Sequence, residues 1–421
     1  MKAERWSGMG DIVFTGGSVF DGTGREPFPG EVVVRGDRIA AVRPGRSPAP
    51  DGATVIDCAG ATVMPGLIEG HAHLTFPSAV GHLEPGFNPP VDVSFFAHPP
   101  TAEEHLALAE RNARILLDAG FTSAYSAGSL TPGNVEVQLR DRIAAGEVPG
   151  PRLRAASFER DNNPVRHGAE ATTPTGLARF IAEQAALGFD SVKLLLSNDD
   201  VFVPGGSMQT QYTSEEAAAA GAAAREAGVW LNCHAQNPES IKLAVRNGFR
   251  SVYHCSYADE EALDLLEEHK DELFTAPAVG IMWANVHEAE EFGIDRATAE
   301  RMGSVAQLEA QIALYPRMRR RGIRVLPGGD YGFPQTPIGR NARDLQLFVD
   351  LFGYTPAEAL VAATKWGGEV MGMAGELGVL ASGYLADVLV VQGDPARDVA
   401  LLQDAANLKV IMQAGRLHKA P

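Results

Sequence analysis

Two histidines one residue apart, His71 and His73, close the run Pro65-Gly-Leu-Ile-Glu-Gly-His71-Ala-His73. In an extended strand, residues i and i+2 project from the same face. Two imidazoles so placed can grip one divalent metal ion, for which neutral imidazole is a standard ligand. An HxH pair alone is common, and its plain reading is two surface histidines at a strand end. Other short apolar runs carry residues of the same chemical type. His234 ends Leu231-Asn-Cys-His-Ala235, His254 ends Val252-Tyr-His-Cys255, and Asp330 ends Leu326-Pro-Gly-Gly-Asp330. Lys193 lies in Asp190-Ser-Val-Lys-Leu194. Taken singly, each could be an ordinary core or rim residue; together, at matching positions, they define one rim. Lys193 stands out, because a charged lysine among Val192 and Leu194 is costly unless paired. Two readings follow: a salt bridge to an acid such as Asp190 or Asp330, or a neutral amine that has taken up CO2 as a carbamate bridging two metals.

The elements that must position these residues follow from the apolar rhythm. Over 63–370, short apolar runs alternate with amphipathic or Ala-rich stretches. Strands are expected at 63–73, 122–127, 152–158, 191–196, 230–235, 251–255, 273–279 and 324–329. Helices are expected at 102–119, 135–145, 176–187, 214–227, 238–247, 260–270 and 298–320, with a further one at 341–351. Thr213-Ser-Glu-Glu216 has the form of a capped helix start. Eight strands alternating with helices is the pattern of an α/β fold of the (β/α)8 TIM-barrel type, whose active sites lie at the C-terminal strand ends. The chain ends differ: β-branched runs near 11–14, 31–34, 37–42 and 54–57, and again at 386–391 and 408–412, are separated by Gly- and Pro-rich turns. Neither end has strands enough for its own core. A small β-sandwich built from 1–62 and 371–421 is expected beside the barrel.

Composition sets the outer limits. The 421 residues carry 36 basic and 53 acidic side chains, a formal charge of −17, which excludes a general nucleic-acid binder. Three cysteines, Cys58, Cys233 and Cys255, have no CxxC spacing, so a reducing compartment is expected. Residues 1–10 lack an apolar leader core, and no stretch approaches the ~20 apolar residues of a membrane helix. A cytoplasmic protein that engages neither nucleic acid nor membrane is the expectation.

The chain resembles the amidohydrolase superfamily of metal-dependent hydrolases. The PGLIEGHAH element, the flanking β region, Gly328-Gly-Asp330 and the tail Gly378-Val-Leu-Ala-Ser-Gly-Tyr-Leu-Ala-Asp-Val388 carry the resemblance, which spans essentially the whole chain. It implies one metal held by His71, His73, carbamylated Lys193 and Asp330, and a second held by Lys193, His234 and His254, with a hydroxide bridging them. The implied cofactors are two divalent ions, zinc first and manganese, cobalt or iron as alternatives, plus the CO2-derived carbamate. The implied reaction is hydrolysis of a C–N bond in an amide, urea, carbamate or imide. Hydroxide attacks the carbonyl, and Asp330 accepts a proton and returns it to the leaving amine. Tyr253 or Tyr257 is a candidate oxyanion donor. Deaminase-type members carry HxxE after the fifth strand and lack the strand-four lysine; here Ala235-Gln-Asn237 follows His234 and Lys193 is present. The texture around Lys193, His234 and His254 is similar to prolidase-like and imidazolonepropionase-related members. A lyase, decarboxylase or isomerase on the same scaffold, or a non-catalytic relative, is the alternative. The expected partners are a small-molecule substrate and further copies of the chain.

Substrate choice should come from the loops after the strands. The longest, 74–100, carries Phe76, Phe87, Phe95, Phe96, His82 and His98 and points to a hydrophobic or aromatic substrate portion, unless the rings simply pack the loop down. The loop 159–173 carries Arg160, Arg166 and His167, suited to a carboxylate or to surface ion pairs. Tyr212 ends the loop 198–211, and Trp283 and His287 follow the seventh strand. The candidate substrate contacts are therefore Tyr257, His98, His167, Tyr212 and Trp283. Cys233 and Cys255 flank ligand candidates, but alternation points them away from the metals, as small core residues.

Overall fold

A computed structural model describes residues 10–76, 100–129 and 131–421. His82, Phe87, Phe95, Phe96 and His98 lie outside them.

The N-terminal strands are β1 (Ile12–Val19), β2 (Phe28–Arg35), β3 (Arg38–Pro44), β4 (Thr54–Asp57) and β5 (Ala61–Pro65). The C-terminal strands are β13 (Val388–Gln392), β14 (Leu408–Gln413) and β15 (Arg416–Lys419). All eight join one sheet in the order β15-β14-β13-β5-β1-β2-β3, with β4 also on β1. This corrects the expected sandwich of two sheets. The reason is a bulge in β1 between Phe14 and Gly17. The first half of β1 pairs in parallel with β4 and the second half with β5, so one sheet forks instead of splitting. Its core draws on both chain ends: Phe14, Val32 and Val63 pack in one cluster with Val388, Val410 and Met412.

The expected strand at 63–73 is two strands. β5 belongs to the terminal sheet, and β6 (Leu67–Ala72) begins a second sheet with β7 (Phe121–Ser126) and β8 (Arg152–Arg154), all parallel. The switch falls at Gly66, where a Cβ would lie 2.1 Å from the Thr122 hydroxyl oxygen; no side chain fits there. A third sheet, also parallel, runs β12-β11-β10-β9, from β9 (Ser191–Leu195), β10 (Trp230–Ala235), β11 (Ser251–His254) and β12 (Phe274–Ala276). Helices separate these strands, and the largest apolar cluster lies between the two layers.

Among the described residues, the regular ladders do not form a closed eight-stranded barrel. Single bridges link what the ladders leave apart: Ala156 to Ser191, Thr275 to Val325, and Ala72 to Tyr331. The expected strand at 324–329 has no regular ladder, because Pro327 lacks an N–H and two glycines follow it. A Cβ on Gly328 would lie 2.6 Å from the His71 Cβ, so this segment passes β6 at contact distance. The strand expected at 152–158 ends at Arg154, and that at 273–279 ends at Ala276, because Ala278 turns left-handed (φ 56°) into a helix, Val279–His287. The helix expected at 298–320 is two, Arg296–Arg301 and Ser304–Arg320, broken at left-handed Gly303. The capping box of Thr213 and Glu216 is present.

Candidate metal centre and active site

His71 and Ala72 end β6, and His73 follows at once. Both histidines of this corner converge on one carboxylate oxygen. His73 Nε2 lies 2.8 Å and His71 Nε2 3.6 Å from Asp330 Oδ1. His73 Nδ1 lies 2.7 Å from the Gly128 carbonyl, to which it donates. In the neutral ring, Nε2 is then a lone pair facing a carboxylate oxygen. Two acceptors at that distance need a proton or a cation between them. Both ring nitrogens of His71, Nδ1 of His254 and Oδ1 of Asp330 are buried without a hydrogen-bond partner. This donor set, two imidazoles and a carboxylate, fits a divalent metal ion.

The corner is held from behind. The His71 ring stacks on Tyr253 (3.9 Å between centroids, 6° between planes), and the His71 backbone N–H donates to Glu69. Glu69 also accepts from Asn341. Burial pushes the Glu69 carboxyl up to about 8 despite these donors. Asp330 takes a left-handed backbone (φ 62°), strained for a residue with a Cβ. Burial would raise its carboxyl, but His71, His73 and His254 outweigh that and hold it well below the usual range. Burial depresses His71 and His254 far below ordinary histidine, so both are neutral. For His73, burial is outweighed by Asp330, and the net direction is upward.

His254 is brought in by the backbone, against strand alternation. β11 pairs Tyr253 with His234 and His254 with Ala235, so alternation alone would turn His254 away from His234. Left-handed backbone at His254 (φ 70°) and Cys255 (φ 49°) reverses this. The His254 ring lies 4.2 Å from that of His234 and 5.4 Å from that of His71. Cys233 and Cys255 are buried and unpaired, packed in the apolar layer.

Lys193 is fully buried, and its acid partner is Glu159. Nζ donates to Glu159 Oε1 (2.9 Å) and to the Ala127 carbonyl (3.0 Å) and lies 4.8 Å from the centroid of the Tyr253 ring. The two acids expected as partners are otherwise engaged: Asp190 pairs with Arg140 and Arg154, and Asp330 faces the histidines. His234 Nε2 lies 3.6 Å from Asp199 Oδ2 and 3.1 Å from Gln236 Nε2. Burial lowers His234 and raises Asp199.

Glu159, Asp199 and Gln236 are site residues that the sequence pattern does not single out. A signal exists for the two acids: they follow the third and fourth expected strands, the same positional rule that selects the histidines. Of the substrate candidates, Tyr257 is half-buried near Asp199, Asp200 and Ser207. Tyr212 is buried with its hydroxyl donating to the Arg160 carbonyl, which leaves it no free donor. Trp283 lies in a helix against His287. His167 pairs with Asp161 and lines a pocket with Arg160, Arg179 and Phe180 that includes none of the metal candidates. Arg166 also pairs with Asp161. Tyr253 lies beneath His71, and its hydroxyl oxygen accepts from the Asn232 amide.

Residues 62–418 match the amidohydrolase family model, and the chain belongs to that family. Among curated relatives, an imidazolonepropionase of Rubrobacter xylanophilus is 26% identical over 415 residues, covering 92% of this chain and 91% of its own. The ochratoxinase of Aspergillus niger is 29% identical over 194 residues, 45% of this chain; the match spans only 38% of the ochratoxinase. Among solved structures, a Xaa-Pro dipeptidase with bound methionine superposes with a TM-score of 0.82 at 23% identity, over 98% of this chain and 100% of that one. The A. niger ochratoxinase structure gives 0.79 at 20% identity, over 98% and 96%. These likenesses show a TIM-barrel-like α/β fold. Among the described residues, no helix is long and apolar enough to cross a membrane.

Proposed function

We propose that this chain is a metal-dependent hydrolase that cleaves a C–N bond of an amide, urea, carbamate or imide in a small substrate with a hydrophobic or aromatic portion. The observation that carries the reading is the convergence of His71 and His73 on Asp330 Oδ1, with buried ligand atoms left unpaired. Family membership in the amidohydrolases supports it. Likenesses to proteins named as a dipeptidase and a phenylurea hydrolase agree in kind with C–N cleavage.

His71, His73 and Asp330 would hold a divalent ion, zinc before manganese, cobalt or iron, with His234 and His254 on the opposite side. Such an ion supplies Lewis acidity and lowers the pKa of a bound water. The protein's own part follows from the charge states. His71 and His254, kept neutral by burial, present lone pairs and not protons. Asp330, whose carboxyl lies well below the usual carboxylate range, offers a carboxylate oxygen to take a proton from water and pass it to the leaving nitrogen. The Gly128 carbonyl fixes the tautomer and ring direction of His73. Tyr257, half-buried beside Asp199, is a candidate donor to a developing oxyanion. We assign residues 63–370 to the catalytic unit and 1–62 with 371–421 to a β unit that braces it, in a cytoplasmic protein.

A screen of N-acyl amino acids, aryl amides, ureas and cyclic imides against protein loaded with each metal, run in 18O water, tests this. One 18O atom in the carboxylic product is expected. Turnover without label in the product would instead favour the isomerase or lyase reading.

A further inference from the structure

Behind the strand ends lies a cavity whose lining includes none of the metal candidates. Arg160 follows Glu159 in the segment after β8, and an isolated parallel bridge pairs it with Leu194 of β9. Glu159 meets the Lys193 ammonium on the inner side. Successive residues of extended chain project to opposite sides. Arg160 therefore turns outward, as Leu194 does, into the layer under the helices. There its Cζ lies 4.2 Å from the centroid of the Phe180 ring, on the helix Pro174–Ala186. With His167, Glu170, Arg179, Phe180 and Glu183 it lines a cavity of about 410 Å3, a size that holds a small molecule.

Arg160 is only 5% exposed, yet among the described residues no carboxylate forms an ion pair with it. Its neighbour Asp161 is taken by Arg166 and His167. Of the guanidinium's five N–H donors, one on Nη2 bonds the Ala171 carbonyl (2.6 Å), and Nε is buried without a partner. Burial outweighs the acids nearby and lowers the group below its ordinary range. An enclosed cation without a counter-ion is costly. The backbone that carries it is fixed. The Arg160 N–H donates to the Lys193 carbonyl, and the Arg160 carbonyl accepts from the Leu195 N–H and the Tyr212 hydroxyl. A guanidinium so held is suited to a planar carboxylate. The rim has the opposite sign. Glu170 pairs with Arg179, and exposed Glu183 has no ion-pair partner among the described residues. Two rim carboxylates disfavour a dianion such as phosphate, and Glu183 suits an ammonium group.

We propose that this cavity binds a free α-amino acid, with its carboxylate on Arg160 and its ammonium toward Glu183. The site is separate from the metal centre, so the inference does not rest on the hydrolase reading. Metal-loaded full-length protein is titrated by calorimetry with four probes: L-leucine, its methyl ester without a carboxylate, 4-methylpentanoate without an ammonium, and inorganic phosphate. L-leucine should bind, and the ester and phosphate should bind at least about tenfold more weakly. 4-Methylpentanoate should bind about threefold more weakly, because an ion pair to exposed Glu183 is worth little. Arg160→Gln should weaken L-leucine by at least about tenfold, and Glu183→Gln should bring it to the level of 4-methylpentanoate. His73→Ala should leave L-leucine binding unchanged. Binding lost in His73→Ala but kept in Arg160→Gln would put the amino acid at the metal centre and overturn the proposal. So would undetectable L-leucine binding, or ester or phosphate bound as tightly as L-leucine. If Arg160→Gln fails to fold, hydrogen exchange on the wild type decides: L-leucine should protect the amides of residues 167–171, and unchanged exchange there would overturn the site. An active hydrolase without this binding sinks the site and leaves the hydrolase reading standing. Binding at Arg160 in a protein that turns over nothing in the substrate screen does the reverse.

Discussion

The two halves of the site are built by different means. In the His71–His73–Asp330 corner, the end of β6 sets the i, i+2 pair, and a Gly-Gly approach with a left-handed Asp330 brings the carboxylate against it. On the other side, strand geometry is overridden. His254 reaches the site only through two left-handed residues, and Lys193 and His234 face acids supplied by the connecting loops. A corner fixed by strands is preformed, and a side fixed by loops can change its ligands while the scaffold stays the same.

Breaking the preformed corner should have the largest effect. His73→Ala or Asp330→Asn is expected to lower kcat/KM by at least about a thousandfold, since each removes a ligand and, for Asp330, the proton carrier. The thermal midpoint should fall by only a few degrees, because neither side chain holds the apolar core. A His73→Ala enzyme retaining a tenth of wild-type activity would show that the corner does not carry the chemistry.

The same contrast explains what is legible in the sequence. His71, His73 and Asp330 can be placed because period-two alternation and strand ends are written in short apolar runs. His254 can be picked out by its position at a strand end, but its convergence on the site does not follow from alternation, which its φ of 70° reverses. Glu159 and Asp199 do not stand out in the same way, because acids in loops are usually solvated whereas a histidine at a strand end is a specific signal. The terminal sheet is legible as strands but not as one sheet. The β1 bulge that joins β4 and β5 to a single strand has no marker beyond Gly16-Gly17.

The second contrast concerns the buried ion pair. Lys193 is almost wholly enclosed, while Glu159 keeps about a fifth of its side chain exposed (1% against 21%). Removing one partner of a buried pair leaves the other charge uncompensated, at a cost of about 3–5 kcal/mol when that charge is fully enclosed. Glu159→Gln strands the enclosed ammonium and should cost about 3 kcal/mol in urea unfolding. Lys193→Met strands a carboxylate that water can reach and should cost about 1 kcal/mol. Equal costs, or the reverse order, would mean that Lys193 is not an enclosed cation held by Glu159.

The last test lies in the scaffold behind the preformed corner, where the effect is spread over several pH units. Asp344 accepts from the Tyr331 hydroxyl (2.8 Å) and the Gly328 N–H (3.1 Å), so it holds the segment that carries Asp330. Burial pushes its carboxyl up to about 7, against about 3.9 in an unfolded chain. Between those values the folded protein keeps a proton that the unfolded chain releases. Stability should therefore fall as pH rises from about 4 to about 7, by at most about 1.4 kcal/mol per pH unit for this group. Below pH 4 both states are protonated and the contribution is flat; above 7 both are ionised and it is flat again. Asp344→Asn removes the titration and should flatten the slope of the urea midpoint between pH 5 and 7. It should also weaken the hold on residues 328–331, because an amide has one acceptor oxygen for two donors. If the wild type and Asp344→Asn show parallel midpoints across that range, the proton resides elsewhere. Glu136, pushed up to about 7 by burial while accepting from Ser126 and the Ala156 N–H, is then the group to remove.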